Sequence, residues 1–284
     1  MGCTFKTLRV VYGDFTLGVH GEGFDYIFSY AQGGLESLVK NGYEWLYRCP
    51  KPTFWRATTD NDRGSKFHIK SGSWLAADMF IECKDVEVIT DGKSQGKPCA
   101  PENNKYGGDV FAENVIVKYV YETITTPATT VEVVYSVDNK GKIAVNVSYK
   151  GAKGLPQLPV FGLRFIMPTL ADKYTYEGLS GETYPDRMAG AEKGIFEIDD
   201  ISLTNYLVPQ ECGMRMGTEW LEVTRHTSLN NCRKGNSNQI LRIEKKDKGF
   251  AFSCLPYTAS EIENATHHEE LPPARRTVLC IYGA

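Results

Sequence analysis

The chain has 284 residues, of which 42% are hydrophobic and 24% charged, and its formal net charge is -3. A chain of this length buries a large core as one big β domain or two smaller units, so it needs no disulfide staples to fold. No run of basic residues exceeds two, which argues against nucleic acid or an anionic membrane as the main partner.

The first third of the chain combines a strand, a polar motif, a helical window and a polar stretch. Phe24 to Tyr30 predicts a strand, and the motif FWRATTDNDRG follows over 54–64. His68 to Glu82 predicts the one helix of the chain, because Leu75 and Met79 are spaced at i, i+4. The polar, glycine-rich stretch Lys93 to Gly108 is interpreted as a surface loop, since strands of the same character continue on both sides.

Three consecutive strands are predicted in the middle of the chain. Val115 to Tyr121, Val131 to Val137 and Lys142 to Lys150 all alternate apolar and polar residues, which places their apolar side chains on one face. Gly141 closes the connection between the last two strands, as a hairpin loop of this length requires. These strands predict an antiparallel meander.

Two further strands are predicted near the end of the chain, at Phe250 to Leu255 and Thr277 to Tyr282, with turns rich in glycine, proline and asparagine between the elements. The prediction is therefore an all-β protein with one short helix, folded as a single domain over residues 1–284.

Cysteine usage and hydropathy point to the cytoplasm. No window approaches the ~18 consecutive apolar residues of a membrane span, and the N-terminus lacks the apolar region of a signal peptide. The eight cysteines are scattered without a CxxC pair, so we expect them to be reduced: Cys3, Cys49, Cys83, Cys99, Cys212, Cys232, Cys254 and Cys280.

No complete reaction centre is visible in the residues themselves. Asp60 and Asp62 are neighbours on one loop, whereas a glycosidase needs two carboxylates on opposite sides of the scissile bond. We expect Asp60, Asn61 and Asp62 to cap the following turn or helix instead. His267 and His268 are adjacent and point to different faces, so a zinc site is not expected, and His267 is preferred as a residue that lines a cleft.

Two other motifs combine carboxylates with arginine in loop-like settings, and structural ion pairs are the favoured interpretation of both. The first is GETYPDR over 181–187, with Glu182, Tyr184, Asp186 and Arg187. The second is PQECGMR over 209–215, with Glu211 and Arg215.

These motifs resemble a known family. FWRATTDNDRG resembles the "RAPTDNDxG" signature of the last domain of family 2 β-galactosidases, GLSGETYPDR resembles "GxGPxENYPDR", and PQECGMR resembles "PxExGxR". His267 falls where the family has a histidine after a short polar run. The order and spacing agree over essentially the whole chain, although Thr58 replaces the proline of the signature.

The resemblance implies the small subunit of a two-chain β-galactosidase and a large antiparallel supersandwich similar to galactose mutarotase. It implies a retaining glycosidase whose carboxylates, magnesium and sodium belong to the large chain, so that this chain has no catalytic residue, metal or cofactor and is inactive alone. The expected partners are that large chain and a β-galactoside such as lactose. Residues expected at the cleft or the chain interface are Arg56, Asp60, Asn61, Asp62, Glu182, Tyr184, Asp186, Arg187, Glu211, Arg215 and His267.

Two expectations remain beside this interpretation. In the family, the last strand leads into a segment of the type "GVGGDDSWG", whose tryptophan is lent to the sugar site, and nothing similar follows Ala284. We therefore expect the C-terminal strands and tail to be missing from this chain. The alternative function is a stand-alone mutarotase-like aldose epimerase or a carbohydrate-binding module, for which a histidine and a glutamate would have to meet in one cleft.

Overall fold

The computed structural model describes residues 7–100, 109–229 and 238–283. They form two compact units, each built from two segments of the chain. Unit 1 contains the residues up to Pro50 and Met79–Leu155, and unit 2 contains Lys51–Asp78 and the residues from Pro156 onward. The single domain predicted over the whole chain remains a prediction.

Unit 1 consists of two antiparallel sheets. The first has six strands in the order β5-β4-β3-β2-β1-β9, and the second has five in the order β12-β11-β10-β7-β8. The strands are β1 Leu8–Tyr12, β2 Thr16–Gly21, β3 Phe24–Ser29, β4 Gly34–Lys40, β5 Tyr43–Glu44, β7 Glu82–Thr90, β8 Lys93–Gly96, β9 Val110–Ala112, β10 Asn114–Glu122, β11 Thr130–Asp138 and β12 Ile143–Tyr149.

The predicted meander is confirmed as β10, β11 and β12. Alternate residues of β10 and β11 are fully buried and face each other across the strands, for example Val117 opposite Tyr135 and Tyr119 opposite Val133. Tyr119 also donates its hydroxyl hydrogen to the carbonyl of Gly34 in the other sheet, at 3.2 Å. Apolar burial and this hydrogen bond therefore join the two sheets of unit 1.

The turn between β11 and β12 uses glycine as the sequence predicts. Gly141 has a φ of 76°, which a residue with a side chain adopts only under strain. The carbonyl of Gly141 accepts the hydroxyl of Tyr26 at 2.7 Å. The apolar face predicted for β12 is only partly covered, since Val145 is exposed.

Unit 2 also consists of two sheets. A five-stranded sheet has the order β16-β19-β20-β13-β6, and a four-stranded antiparallel sheet has the order β15-β14-β17-β18. The chain passes from unit 1 to unit 2 inside β6. The strands are β6 Arg48–Thr53, β13 Gly162–Ile166, β14 Lys173–Leu179, β15 Lys193–Ile198, β16 Arg215–Thr218, β17 Trp220–Arg225, β18 Gln239–Glu244, β19 Phe250–Leu255 and β20 Val278–Tyr282.

Aromatic side chains hold the two sheets of unit 2 together. Phe252 of β19 lies edge-on to Tyr174 and Tyr176 of β14, with ring centroids 5.5 and 5.4 Å apart. Every residue of β19 is buried, so this strand is the centre of the core. The all-β architecture of antiparallel sheets predicted from the sequence is confirmed.

The single helix predicted from His68 to Glu82 is wrong. Among the described residues there are instead three short helices, α1 Asp60–Ser65, α2 Phe67–Lys70 and α3 Ala259–Asn264, with 3₁₀ turns at Gly72–Trp74 and His268–Glu270. Trp74 is buried and donates its indole N–H to the carbonyl of Pro156 at 3.2 Å. Leu75 and Met79, whose spacing suggested the helix, are exposed, and Gly72 disfavours a continuous helix.

The polar stretch Lys93 to Gly108 is only partly a loop. Lys93–Gly96 forms β8 at the edge of the second sheet of unit 1. Residues 101–108 lie outside the described residues. The prediction of a loop therefore holds for residues 97–100 alone.

The cysteines predicted to be reduced form no disulfide wherever the structure describes them. The six described cysteines are Cys49, Cys83, Cys99, Cys212, Cys254 and Cys280. Of these, Cys49, Cys212, Cys254 and Cys280 are buried, whereas Cys83 is half-buried and Cys99 is exposed. Cys3 and Cys232 lie outside the described residues. Burial raises the pKa of the Cys254 thiol to about 12, which keeps it protonated and inert.

Candidate functional site

The motif over 54–64 runs from the residue after β6 into α1, within unit 2. Thr59 is the N-cap of α1, and its hydroxyl accepts the N–H of Asp62 at 3.3 Å. The carboxylate of Asp62 accepts the N–H of Thr59 in return, at 2.9 Å. This is a capping box, so the expectation that the acidic residues of the motif cap a helix is confirmed for Asp62.

Arg56 and Asp62 form a bidentate ion pair. Nη1 and Nη2 of Arg56 donate to the two carboxylate oxygens of Asp62 at 2.6 and 2.9 Å. Burial alone would raise the pKa of Asp62, but the bonds from Arg56 and Thr59 lower it to about 2. Both side chains are mostly buried, so the pair fixes the shape of the motif.

Asp60 and Asn61 are exposed at the start of α1. The carboxylate of Asp60 accepts hydrogen bonds from Arg63 at 3.3 Å and from the hydroxyl of Tyr206 at 3.0 Å. The N–H of Asp60 donates to the side-chain oxygen of Gln210 at 3.2 Å. Asp60 therefore ties α1 to the loop over residues 199–210, whose last two residues begin the PQECGMR motif.

The GETYPDR motif forms a turn after β14. Tyr184 and Arg187 exchange backbone hydrogen bonds, and the guanidinium of Arg187 lies 5.2 Å from the centre of the Tyr184 ring. Glu182 accepts the hydroxyl of Thr204 at 2.8 Å. Asp186 and Arg187 are exposed.

Glu211 has the most strongly perturbed carboxyl group of the predicted site residues. Burial raises its pKa to about 7, against the lowering effects of Arg56 and of a hydrogen bond from the Ala57 N–H. Burial likewise raises the pKa of Tyr184, and the nearby carboxylates of Glu211 and Glu182 raise it further. Arg56, Glu182, Tyr184 and Glu211 therefore form one coupled cluster.

Arg215 interacts electrostatically with Glu182 of that cluster, whereas His267 contacts a different residue. Arg215 begins β16, and its guanidinium lies over the ring of Tyr176 at 5.9 Å. His267 is exposed and contacts Glu270 through Nδ1 at 3.2 Å. Its neighbour His268 instead donates from Nε2 to the carbonyl of Tyr206 at 2.9 Å, so His268 is the histidine that reaches the 199–210 loop.

Glu211 lines a small cavity inside unit 2. The cavity has a volume of about 20 Å³, and Trp55, Arg164, Ser253 and Tyr282 are among its other walls. That volume accepts on the order of one water molecule, whereas ligand pockets start near roughly 300 Å³. A sugar therefore does not fit beside Glu211, and this cavity holds no histidine that could serve as the partner of an epimerase acid.

A second, open groove of unit 2 has a volume of about 320 Å³. His268 lines it, but no carboxylate does. Neither of these two cavities thus combines a glutamate with a histidine. Among the described residues there is no group of three or more histidine, cysteine, aspartate or glutamate side chains that could hold a metal ion.

Glu263 is a partner of the first motif that was not predicted from the sequence. Its carboxylate accepts the backbone N–H of Thr58 at 2.6 Å and the Thr58 hydroxyl at 2.8 Å. The available signal was Thr58 itself, which replaces a proline of the signature. Proline has no N–H to donate, so this contact depends on the departure from the pattern. The buried pair of Arg164 and Asp78, 86 residues apart, was also missed.

The membrane-span search gives a negative result for the described part of the chain: none of its helices is long and apolar enough to cross a bilayer.

The matching family model and the similar curated proteins are those of β-galactosidases. The family model described as Beta galactosidase small chain matches residues 20–284. The β-galactosidase small subunit of Latilactobacillus sakei is 57% identical over 284 residues, which are 100% of this chain and 89% of that one.

Two longer relatives are named simply β-galactosidase. That of Halalkalibacterium halodurans is 34% identical over 97% of this chain and 25% of its own length. That of Streptococcus thermophilus is 32% identical over 98% of this chain and 24% of its own length. The chain thus spans about a quarter of each of them.

Among solved structures, galactose 1-epimerase from Lactobacillus acidophilus is similar with a TM-score of 0.31 and 9% sequence identity, over 95% of each chain. A likeness at this score does not bear on function.

Proposed function

Because the chain belongs to the β-galactosidase small-chain family, we propose that it is the small subunit of a two-chain β-galactosidase that hydrolyses lactose and other β-galactosides. The observation that carries the proposal is the 57% identity to a β-galactosidase small subunit over the whole of this chain. The partner is a large chain that supplies the remaining part of the enzyme, since the longer relatives contain this segment as about a quarter of one polypeptide.

In this proposal the chemistry belongs to the large chain. A retaining glycosidase uses one carboxylic acid to protonate the leaving oxygen and a second carboxylate as nucleophile. Both groups, with magnesium and sodium, are assigned to the large chain, and this chain has no catalytic residue and is inactive alone. The carboxylates that were predicted at the cleft or interface support the assignment of catalysis to the large chain, because they are bound within this chain. Asp62 binds Arg56, Asp60 binds Arg63 and Tyr206, and Glu182 accepts the Thr204 hydroxyl.

The small chain then shapes the cleft and the interface. The 54–64 motif, closed by its capping box and by the Arg56–Asp62 pair, presents Asp60 and Asn61 to the outside. The bidentate Arg56–Asp62 pair fixes the orientation of both side chains, so the motif offers a rigid surface with a defined shape at the edge of the cleft. The assembly is proposed to work in the cytoplasm, where the six cysteines of the described residues, none of which forms a disulfide, would stay reduced.

Reconstitution tests the proposal. Hydrolysis of a chromogenic β-galactoside is measured for this chain alone, for a β-galactosidase large chain alone, and for their mixture. We expect turnover only in the mixture. Robust hydrolysis by this chain alone would contradict the proposal, and acceleration of galactose mutarotation by this chain in a polarimeter would favour an aldose epimerase instead.

A further inference from the structure

The 199–210 loop of unit 2 presents a leucine to solvent. Leu207 is 84% exposed, and its neighbour Tyr206 is 45% exposed. The loop contains no helix or strand. A single exposed leucine is common on protein surfaces, so the position of this one has to be judged from its surroundings.

The loop is held in place although it lacks regular structure. Thr204 donates its hydroxyl hydrogen to Glu182 at 2.8 Å, and Tyr206 donates to Asp60 at 3.0 Å. The carbonyl of Tyr206 accepts a hydrogen bond from His268 at 2.9 Å. Three different elements thus fix the loop. A loop that is already ordered loses little conformational entropy on binding, which favours a recognition role.

A groove with both polar and apolar walls lies along the same loop. It has a volume of about 320 Å³; its apolar walls include Leu170, Ile201, Leu203, Pro256, Tyr257 and Leu271, and its polar walls include Ser202, Asn205 and His268. Ile201 and Leu203 come from the loop itself, and His268 joins the groove to the carbonyl of Tyr206. A groove of mixed polarity on the same loop as an exposed leucine fits a protein interface with an anchor residue, because such interfaces combine apolar contacts with a polar rim.

The longer relatives point to the kind of partner that such a surface would meet. In the two longer β-galactosidases, a segment similar to this chain is joined to about three further quarters of polypeptide. A small chain that is separate must therefore expose the surface that meets the rest of the enzyme.

We propose that the 199–210 loop and the adjoining groove are the docking surface for the large chain, with Leu207 as an anchor that enters an apolar pocket of that chain. The groove accepts an apolar side chain of the large chain in return. This inference rests on the proposed function, because it needs a large chain as the partner. It also gives Asp60 a definite task, which is to hold Tyr206 and thereby the anchor loop.

Binding measurements with matched variants test the docking surface. The large chain that accompanies the Latilactobacillus sakei small subunit is immobilised, and the dissociation constant of this chain is measured by biolayer interferometry. Leu207→Ser removes the anchor, and Leu170→Arg places a charge at the groove. The control is Ile195→Ser on β15, since Ile195 is also exposed, at 64%, but lies outside the loop and the groove.

We expect Leu207→Ser and Leu170→Arg each to weaken binding at least tenfold, and Ile195→Ser to change it less than twofold. Melting temperatures of the free variants should match that of the parent chain. Binding of Leu207→Ser and Leu170→Arg at parental strength would overturn the docking surface and leave the proposed function intact. An equal loss in Ile195→Ser would also overturn it. Failure of the parent chain to bind any large chain would instead remove the proposed function and this inference with it.

Discussion

Two carboxyl groups near the first motif ionise very differently although each is mostly shielded from water. Asp62 has a pKa of about 2, because Arg56 and Thr59 stabilise its charge more than burial destabilises it. Glu211 has a pKa of about 7, because burial outweighs the attraction of Arg56, whose terminal nitrogens are already bound to Asp62. The identity of the nearest partner therefore decides the charge of each group.

The sequence predicts part of the first result and none of the second. The local pattern of the motif predicts that Asp62 caps the following helix, whereas its ion pair with Arg56 was not predicted. The environment of Glu211 depends on Trp55, Ser253 and Tyr282, which come from distant parts of the chain. No local pattern reports that such residues enclose a carboxyl group.

The raised pKa of Glu211 predicts a pH-dependent stability. Its folded pKa of about 7 exceeds the unfolded value of 4.5, so its contribution is fully present below pH 4.5 and is lost as pH rises through 7. We expect the parent chain to lose roughly 3 kcal/mol of unfolding free energy relative to Glu211→Gln between pH 4.5 and pH 8. Urea denaturation at several pH values measures the difference.

The exposed Glu269→Gln provides the control for this experiment, because a surface substitution should shift the curve by less than about 0.5 kcal/mol at any pH. Parallel pH profiles for the parent chain and Glu211→Gln would show that the carboxyl group is solvated in the folded protein.

At the scale of the elements, alternation predicts the strands well because one face of each sheet is buried. β3, β10, β11, β19 and β20 all lie where the pattern places them. The predicted helix fails because Trp74 anchors the segment after α2, while Leu75 and Met79 point into solvent. Helical spacing of apolar residues indicates a helix only when those residues are buried, and the sequence does not contain that information.

The junction between β6 and α1 depends on α3, which lies about 200 positions later in the chain. Thr58 is 2% exposed, and Glu263 of α3 accepts both its N–H and its hydroxyl hydrogen. The two helices start with similar capping boxes, Thr59 with Asp62 and Thr258 with Glu261. Local patterns therefore predict how each helix starts, whereas the bond between them requires the fold.

Replacing Glu263 by alanine should destabilise the protein by about 2–4 kcal/mol, because two buried donors of Thr58 lose their acceptor at a cost of roughly 1–3 kcal/mol each. Urea denaturation followed by circular dichroism gives the unfolding free energy. Glu261→Ala, which breaks only the capping box of α3, is the matched control and should cost about 1 kcal/mol. If Glu263→Ala costs no more than this control, the bond to Thr58 does not hold the junction together.

At the scale of the whole molecule, the two units are discontinuous in sequence. The chain leaves unit 1 after Pro50, returns at Met79 and leaves again after Leu155. Neither unit is a continuous stretch of chain, so no single cut separates them. One domain is predicted because strands of the same character continue on both sides of Lys93 to Gly108. The described part of that stretch, residues 93–100, belongs to unit 1.

This connectivity predicts that the chain unfolds in one cooperative transition. In the sequence, Lys51–Asp78 of unit 2 lies between the two segments of unit 1, so each of its ends continues into unit 1. Unfolding of either unit therefore releases the ends of a segment that belongs to the other.

Trp45 is the one tryptophan of unit 1, whereas Trp55, Trp74 and Trp220 belong to unit 2. Fluorescence of the parent chain and of Trp45→Phe, compared with far-ultraviolet circular dichroism, therefore reports on unit 2 and on the whole chain separately. We expect coincident urea midpoints for all probes, with a strand-dominated spectrum. Two separated midpoints, with the tryptophans of unit 2 following only one of them, would show that the units fold independently and that residues 1–284 do not form a single domain.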